Sequence, residues 1–207
     1  MAQTTQMKPR PVKALKYEEL PGLSKDQLTP HHDVLYVGYV KKADQIQERL
    51  SEIESAAQGV NATYHELREL KMEETFATNG VRLHEAYFEN LTPGGNPPAG
   101  RIKDLLERDY GSVENWLNCL RNDGMAARGW VVLAYDFEDN RLQTYISDVH
   151  NQGGVWNCMT LLVLDVYEHA YFVDYKTGRK DYIETFIKNI DWAEVNARVE
   201  RCGSAIR

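Results

Sequence analysis

The chain has 207 residues, 43% of them hydrophobic, enough for one sizeable core or two small ones packed together. Charged residues make up 27% and the net charge is −7, so the cationic stripe that nucleic-acid binding needs is missing. No apolar run reaches the ~18 residues of a membrane span, and three widely spaced cysteines (Cys119, Cys158, Cys202) read as reduced thiols in a cytoplasm.

The opening stretch, MAQTTQMKPRPVKALKYEELPG, has no apolar h-region, so no secretory signal is expected. Ile46, Leu50, Ile53 and Val60 then recur at helical spacing in a charged background, with Asn61 as a break or cap. A second helix covers roughly 62–90, with a kink expected at ATNG, 77–80. Two long helices joined by a short turn make a helical hairpin. TPGGNPPAG, residues 92–100, holds three prolines and three glycines and cannot continue a helix. It reads as a linker, dividing the chain into an N-terminal domain, 1–91, and a C-terminal domain, 101–207.

Beyond the linker, RIKDLLERDYG and SVENWLNCLRN read as two amphipathic helices, the second capped by Ser112. GWVVLAYD (129–136) and LQTYISDV (142–149) read as strands around the turn EDNR. NCMTLLVLDV is a third strand, and its continuous apolar run marks it as buried. Two helices close the chain, at about 180–189 and 191–201. The fold class is α+β: an α-helical hairpin followed by a mixed α/β domain.

The six histidines are informative by position. His84 has Gly80 at i−4, Tyr87 at i+3, Phe88 at i+4 and Leu91 at i+7, an apolar face that turns it inward. His31, placed at the start of the first helix, has Val34 and Leu35 at i+3 and i+4 and Tyr39 at i+8, and also faces inward. His65 lies among charged residues and His32 beside Asp33, so both are expected at the surface. A lone histidine on an apolar face is more often a satisfied core residue than a ligand. LDVYEHAYFVDY, 164–175, changes that balance, because Asp165 and His169 stand four apart at the end of the apolar run MTLLVL. Burying an isolated carboxylate costs several kcal/mol. One metal ion would offset the burial of all three imidazoles and the carboxylate. Nitrogen and oxygen ligation suits iron, manganese or zinc, and the absence of a thiolate leans away from a structural zinc site.

DVYEHAYFVDYKTGRKDY resembles the signature of the iron/manganese superoxide dismutases, D-x-W-E-H-A-Y followed by Y-K-x-x-R-x-D-Y. HHDVLYVGYV is similar to that family's first-helix motif and LHEAYFENLTPGG to the end of its second helix. The resemblance runs from about residue 17 to 200. It implies a three-stranded antiparallel sheet in the C-terminal domain and one iron or manganese ion per chain, held by His31, His84, Asp165 and His169. It implies superoxide as substrate, converted to oxygen and hydrogen peroxide, with Tyr39 at the substrate entrance and Trp130 walling the pocket. His150 matches a group that hydrogen-bonds beside the metal, with Gln152 as a rival for that role. Glu168 matches a residue that reaches across a homodimer interface to the partner's last histidine ligand, so Glu168 is expected to be buried there.

The chain departs from the family pattern at several places. Val34 replaces a lysine, Leu35-Tyr36 replaces a second pair of histidines, and Tyr167 stands where the signature has tryptophan. The lost histidine is the one expected to bond across the dimer to Tyr171. These changes touch the gate and the interface and leave the ligands alone, so the alternative reading is a metal-binding relative with low or no dismutase activity. A non-haem iron oxygenase needs only two histidines and a carboxylate, and three inward histidines count against it. Superoxide is an anion and the chain is acidic, so attraction must be local, with Lys41, Lys42 and Arg179 as candidates.

Overall fold

A computed structural model describes residues 9–206; the first eight residues, part of the opening stretch considered for a secretory signal, lie outside it. Ser24 caps the first helix, α1 (Lys25–Pro30), its hydroxyl accepting from Gln27 N. Pro30 has no N–H to give to the helical ladder, and directly after it the chain widens into one π turn, His31–Tyr36, before α2 (Val37–Ile53) resumes. His31 therefore sits inside a longer helical run than the sequence suggested, at the point where that run is wound differently. α2 ends at Ile53, and Val60 lies half exposed in the connection instead of extending the helix. Asn61 acts as a turn residue there, its carboxamide oxygen accepting from the backbone of Thr63 and Tyr64.

α3 (Glu66–Glu89) begins where His65 Nδ1 accepts from Leu67 N, so His65 serves as a helix cap. The helix is unbroken over 77–80, where a kink was expected. Gly80 is there for closeness: a Cβ on it would stand 2.8 Å from the Tyr39 ring. α2 and α3 pack along their length, burying Val40, Ala43, Ile46 and Leu50 against Ala77, Val81 and Phe88.

α4 (Arg101–Tyr110) and α5 (Val113–Ala126) follow, α5 capped by Ser112 as the sequence indicates. The sheet has the order β2-β1-β3, all antiparallel, from β1 (Trp130–Asp136), β2 (Arg141–Ser147) and β3 (Cys158–Asp165). Trp130 pairs with Ser147 on one side and Asp165 on the other, which sets the tryptophan and the aspartate side by side at one end of the sheet. β3 is an edge strand yet its last five residues are buried, because α3 and α8 cover it. The Asn90 carboxamide pairs with both Val163 N and O, and Arg198 donates to Leu161 O, so the open edge finds partners. A 3₁₀ turn (Glu168–Ala170), α6 (Phe172–Tyr175), α7 (Arg179–Lys188) and α8 (Trp192–Arg201) complete the fold. Among the described residues no helix is long and apolar enough to cross a membrane, and the three cysteines are free thiols.

Candidate metal centre

Four separate elements deliver the expected ligands to one place. His31 comes from the π turn, His84 from the C-terminal part of α3, Asp165 from the last position of β3 and His169 from the 3₁₀ turn behind it. One side-chain atom from each belongs to a set whose members all lie within 4.8 Å of one another. Asp165 Oδ2 is 3.2 Å from both His31 Nε2 and His169 Nε2, and 3.9 Å from His84 Nε2. His31, His84 and Asp165 are fully buried, while the His169 side chain is 29% exposed.

Burial without partners identifies what this cluster suits. Both ring nitrogens of His31 and Nε2 of His84 are buried with no hydrogen bond, although each such orphan costs roughly 1–3 kcal/mol. The other nitrogen of His84, Nδ1, is 2.6 Å from the Gly80 carbonyl oxygen, so it carries the proton and leaves Nε2 as a bare lone pair aimed at the cluster. Desolvation lowers the pKa of His31 and brings that of His84 down to about 3, so both imidazoles are neutral near pH 7. Burial by itself would raise the Asp165 carboxyl, but the His169 and His31 imidazoles outweigh it and hold the group well below the carboxylate range. His169 is pulled down by burial and, more strongly in sum, up by Asp165. Neutral nitrogens converging on an anionic oxygen are the donor set of a borderline or hard metal ion, and the residues present fit one.

Around the cluster stands an aromatic wall. The Trp130 indole N–H donates to His150 Nδ1 at 2.9 Å. An indole can only donate, so the neutral His150 ring carries its proton on Nε2; desolvation holds its pKa down, at about 4. The Tyr39 ring lies 4.7 Å from His150 and 5.3 Å from His84, half-buried, and the Phe76 ring also packs on His150, at 4.4 Å. Gln152, the rival for the place beside the metal, is exposed, whereas His150 is 4% exposed. Gln27 carries no signal in the sequence, and Tyr182 stands there only as the last residue of the family signature, yet both fix the cluster. Gln27 Nε2 donates to His169 O at 2.5 Å and its oxygen accepts from Val173 N, clamping the 3₁₀ turn from both sides. The Tyr182 hydroxyl donates to Asp165 O at 2.6 Å.

One expectation about the periphery is overturned. His32 is buried, not exposed, because Nε2 meets Lys13 O at 2.8 Å and Nδ1 meets Asp33 at 2.7 Å. Glu168, on the 3₁₀ turn directly before His169, is exposed in the single chain. The candidate guides for an anion are less free than expected. Arg179 donates to the Tyr171 hydroxyl at 3.2 Å and to Ala127 O at 2.9 Å, and Lys42 bonds Gln45. At the altered gate, Tyr36 is buried and donates to Glu85, while Val34 is exposed.

Comparison with known proteins agrees with this geometry. Residues 98–198 match the family model described as the iron/manganese superoxide dismutases, C-terminal domain. The chain is 44% identical to "Superoxide dismutase [Fe]" of Aquifex pyrophilus, over 92% of this chain and 91% of that one. It is 42% identical to the protein of the same name from Aquifex aeolicus, over 95% and 93%. Identity is 35% with "Superoxide dismutase [Mn] 2" of Haloferax volcanii, over 90% and 92%. With relatives this similar along nearly its whole length, and with three imidazoles and a carboxylate gathered at the end of its sheet, the chain belongs to the iron/manganese superoxide dismutases.

Proposed function

We propose that this chain converts superoxide to oxygen and hydrogen peroxide at a single iron or manganese ion held by His31, His84, Asp165 and His169. The observation that carries the reading is the buried cluster of unpartnered imidazole nitrogens around one carboxylate, in a chain belonging to this family. An ion bound there supplies a redox couple that can oxidise one superoxide and reduce the next. Asp165 contributes the one negative charge among the four, which favours a cation of higher charge over proton binding at the histidines. The neutral state of His31 and His84 at physiological pH leaves their lone pairs ready, so little proton release opposes loading.

Peroxide formation consumes two protons, and two residues beside the cluster carry protons in place. His150 holds one at Nε2, because Trp130 occupies Nδ1 as a donor. Tyr39 holds another on its hydroxyl, and burial followed by the Asp165 charge raises its pKa, so it stays protonated. We assign these two residues to proton delivery and Tyr39 to the entrance as well, since it is half-buried while His84, against which its ring packs, is fully buried.

The same reading includes a homodimer. His169 is the one cluster residue with an exposed flank, and Glu168 beside it is a carboxylate with no bond within its own described chain. A two-fold axis would bring Glu168 of one subunit to His169 of the other and satisfy both. The free thiols support a cytoplasmic location, and the loop over 92–100 supports a division into domains 1–91 and 101–207.

The test is a superoxide assay on purified protein loaded with iron or with manganese. Catalytic removal of superoxide by one loaded form, and none by the metal-free form, is expected. Full loading without catalysis would replace this reading by that of a metal-binding relative.

A further inference from the structure

Tyr167 touches two of the four cluster residues, His169 through its ring and Asp165 through its backbone. Its ring stacks on the His169 imidazole at 5.1 Å and 15°, stands edge-on to Trp130 at 5.9 Å, and lies 5.6 Å from the His150 ring. Its backbone N–H donates to Asp165 Oδ1 at 2.9 Å, which anchors the residue to the carboxylate. At the far end of the ring, its hydroxyl donates to the backbone carbonyl of Asp148 at 3.1 Å. Asp148 opens the irregular segment after β2, and His150 lies two residues further on.

That segment has little backbone pairing of its own. Gln152 N reaches Val149 O at 3.3 Å, and most of its other anchors are side chains: Ser147 on Val149 O, Asn151 on Thr75, and Trp130 on His150. The packing around the Tyr167 hydroxyl is close. A Cβ at Gly129 would come within 2.9 Å of the Asp148 carbonyl oxygen and 3.0 Å of the Tyr167 ring, so any side chain there would force the two apart.

We propose that Tyr167 is a positioning residue that couples His169 to His150. The stacked ring sets the plane of the His169 imidazole, and the hydroxyl pins the segment that carries His150, so the two move as one unit. A tryptophan or phenylalanine in this place can stack but has no hydroxyl at the tip to hold Asp148. The coupling matters through the assigned role of His150 and rests on the functional reading to that extent. The tether itself does not.

Tyr167→Phe removes the hydroxyl and keeps the ring, and Tyr167→Trp replaces the ring and also lacks the hydroxyl. Both should retain iron or manganese at the wild-type level. In both, amide hydrogen exchange over 149–152 should become about fivefold faster in metal-free and loaded protein alike, the change expected from losing one net hydrogen bond. The midpoint potential of the loaded Phe variant should differ from wild type, because His150 no longer keeps its place beside the ion. Unchanged loop exchange would overturn the tether. Faster exchange with an unchanged potential would overturn the coupling, leaving Tyr167 a structural residue. Exchange is read without reference to turnover, so a wild type that fails to dismutate superoxide would sink the functional reading while the tether is still tested.

Discussion

Tyr39 shows how much a single hydroxyl can be asked to do. Its ring fills the space that Gly80 leaves open and packs on His84 and His150, and none of those contacts needs the oxygen. Tyr39→Phe should therefore leave metal content and folding close to wild type while lowering turnover or shifting its pH dependence, since one of two proton-bearing groups is gone. A variant that matches wild type in steady-state rate across pH would reduce Tyr39 to a packing residue. At this scale the sequence is readable where periodicity and spacing act together. His84 lies on an apolar helical face, and Asp165 and His169 follow a buried strand, so the sequence itself shows the burial of charge. The burial of His32 has no such signature, because its partners are a backbone carbonyl nineteen positions earlier and its own neighbour Asp33. Gln27 was invisible for a similar reason: both groups it clamps lie about 145 residues away along the chain.

Elements follow from local signals more reliably than the residues that join them. Ser112 as a cap, the turn before β2 and the buried run of β3 are all local, and all stand in the structure. The π turn carries no such signal; Pro30 removes one donor, and the winding changes directly after it. The start of α8 offers a test of how elements are tied together. Asp191 caps it through Glu194 N, and its carboxylate also takes Lys16 at 2.8 Å and Asn96 at 2.8 Å. Burial opposes ionisation of Asp191, yet these donors lower its pKa below the usual value. A carboxyl with a depressed folded pKa adds stability above its unfolded value of about 3.9 and loses it as pH falls through the folded one. Asp191→Ala should cost about 1–2 kcal/mol in denaturant unfolding at neutral pH. The gap between wild type and Asp191→Asn should narrow as pH drops below about 4. A gap that stays constant with pH would mean that the charge contributes nothing and the cap alone matters.

On the scale of the whole molecule, the centre joins the helical hairpin to the sheet, so ligand binding and folding share the same contacts. The predicted dimer extends that sharing to a second chain, because Glu168 would meet a ligand histidine across the interface. Glu168→Ala should yield monomer and lowered metal content together in sedimentation and metal analysis. An intact, fully loaded dimer would remove Glu168 from the interface. Leu35 cannot bond Tyr171 across that interface, and Arg179 of the same chain takes the Tyr171 hydroxyl instead, so the association should be held by fewer polar links than the family motif implies.

The most direct test of the centre itself is metal content per chain in wild type and in Asp165→Ala. Asp165 is the one carboxylate to which all three imidazoles turn, and its removal leaves no anion in a buried site. Elemental analysis should find close to one iron or manganese ion per wild-type chain after loading, and a small fraction of that in the variant, with unfolding at lower temperature. Equal metal in the two proteins would contradict the assignment of the centre.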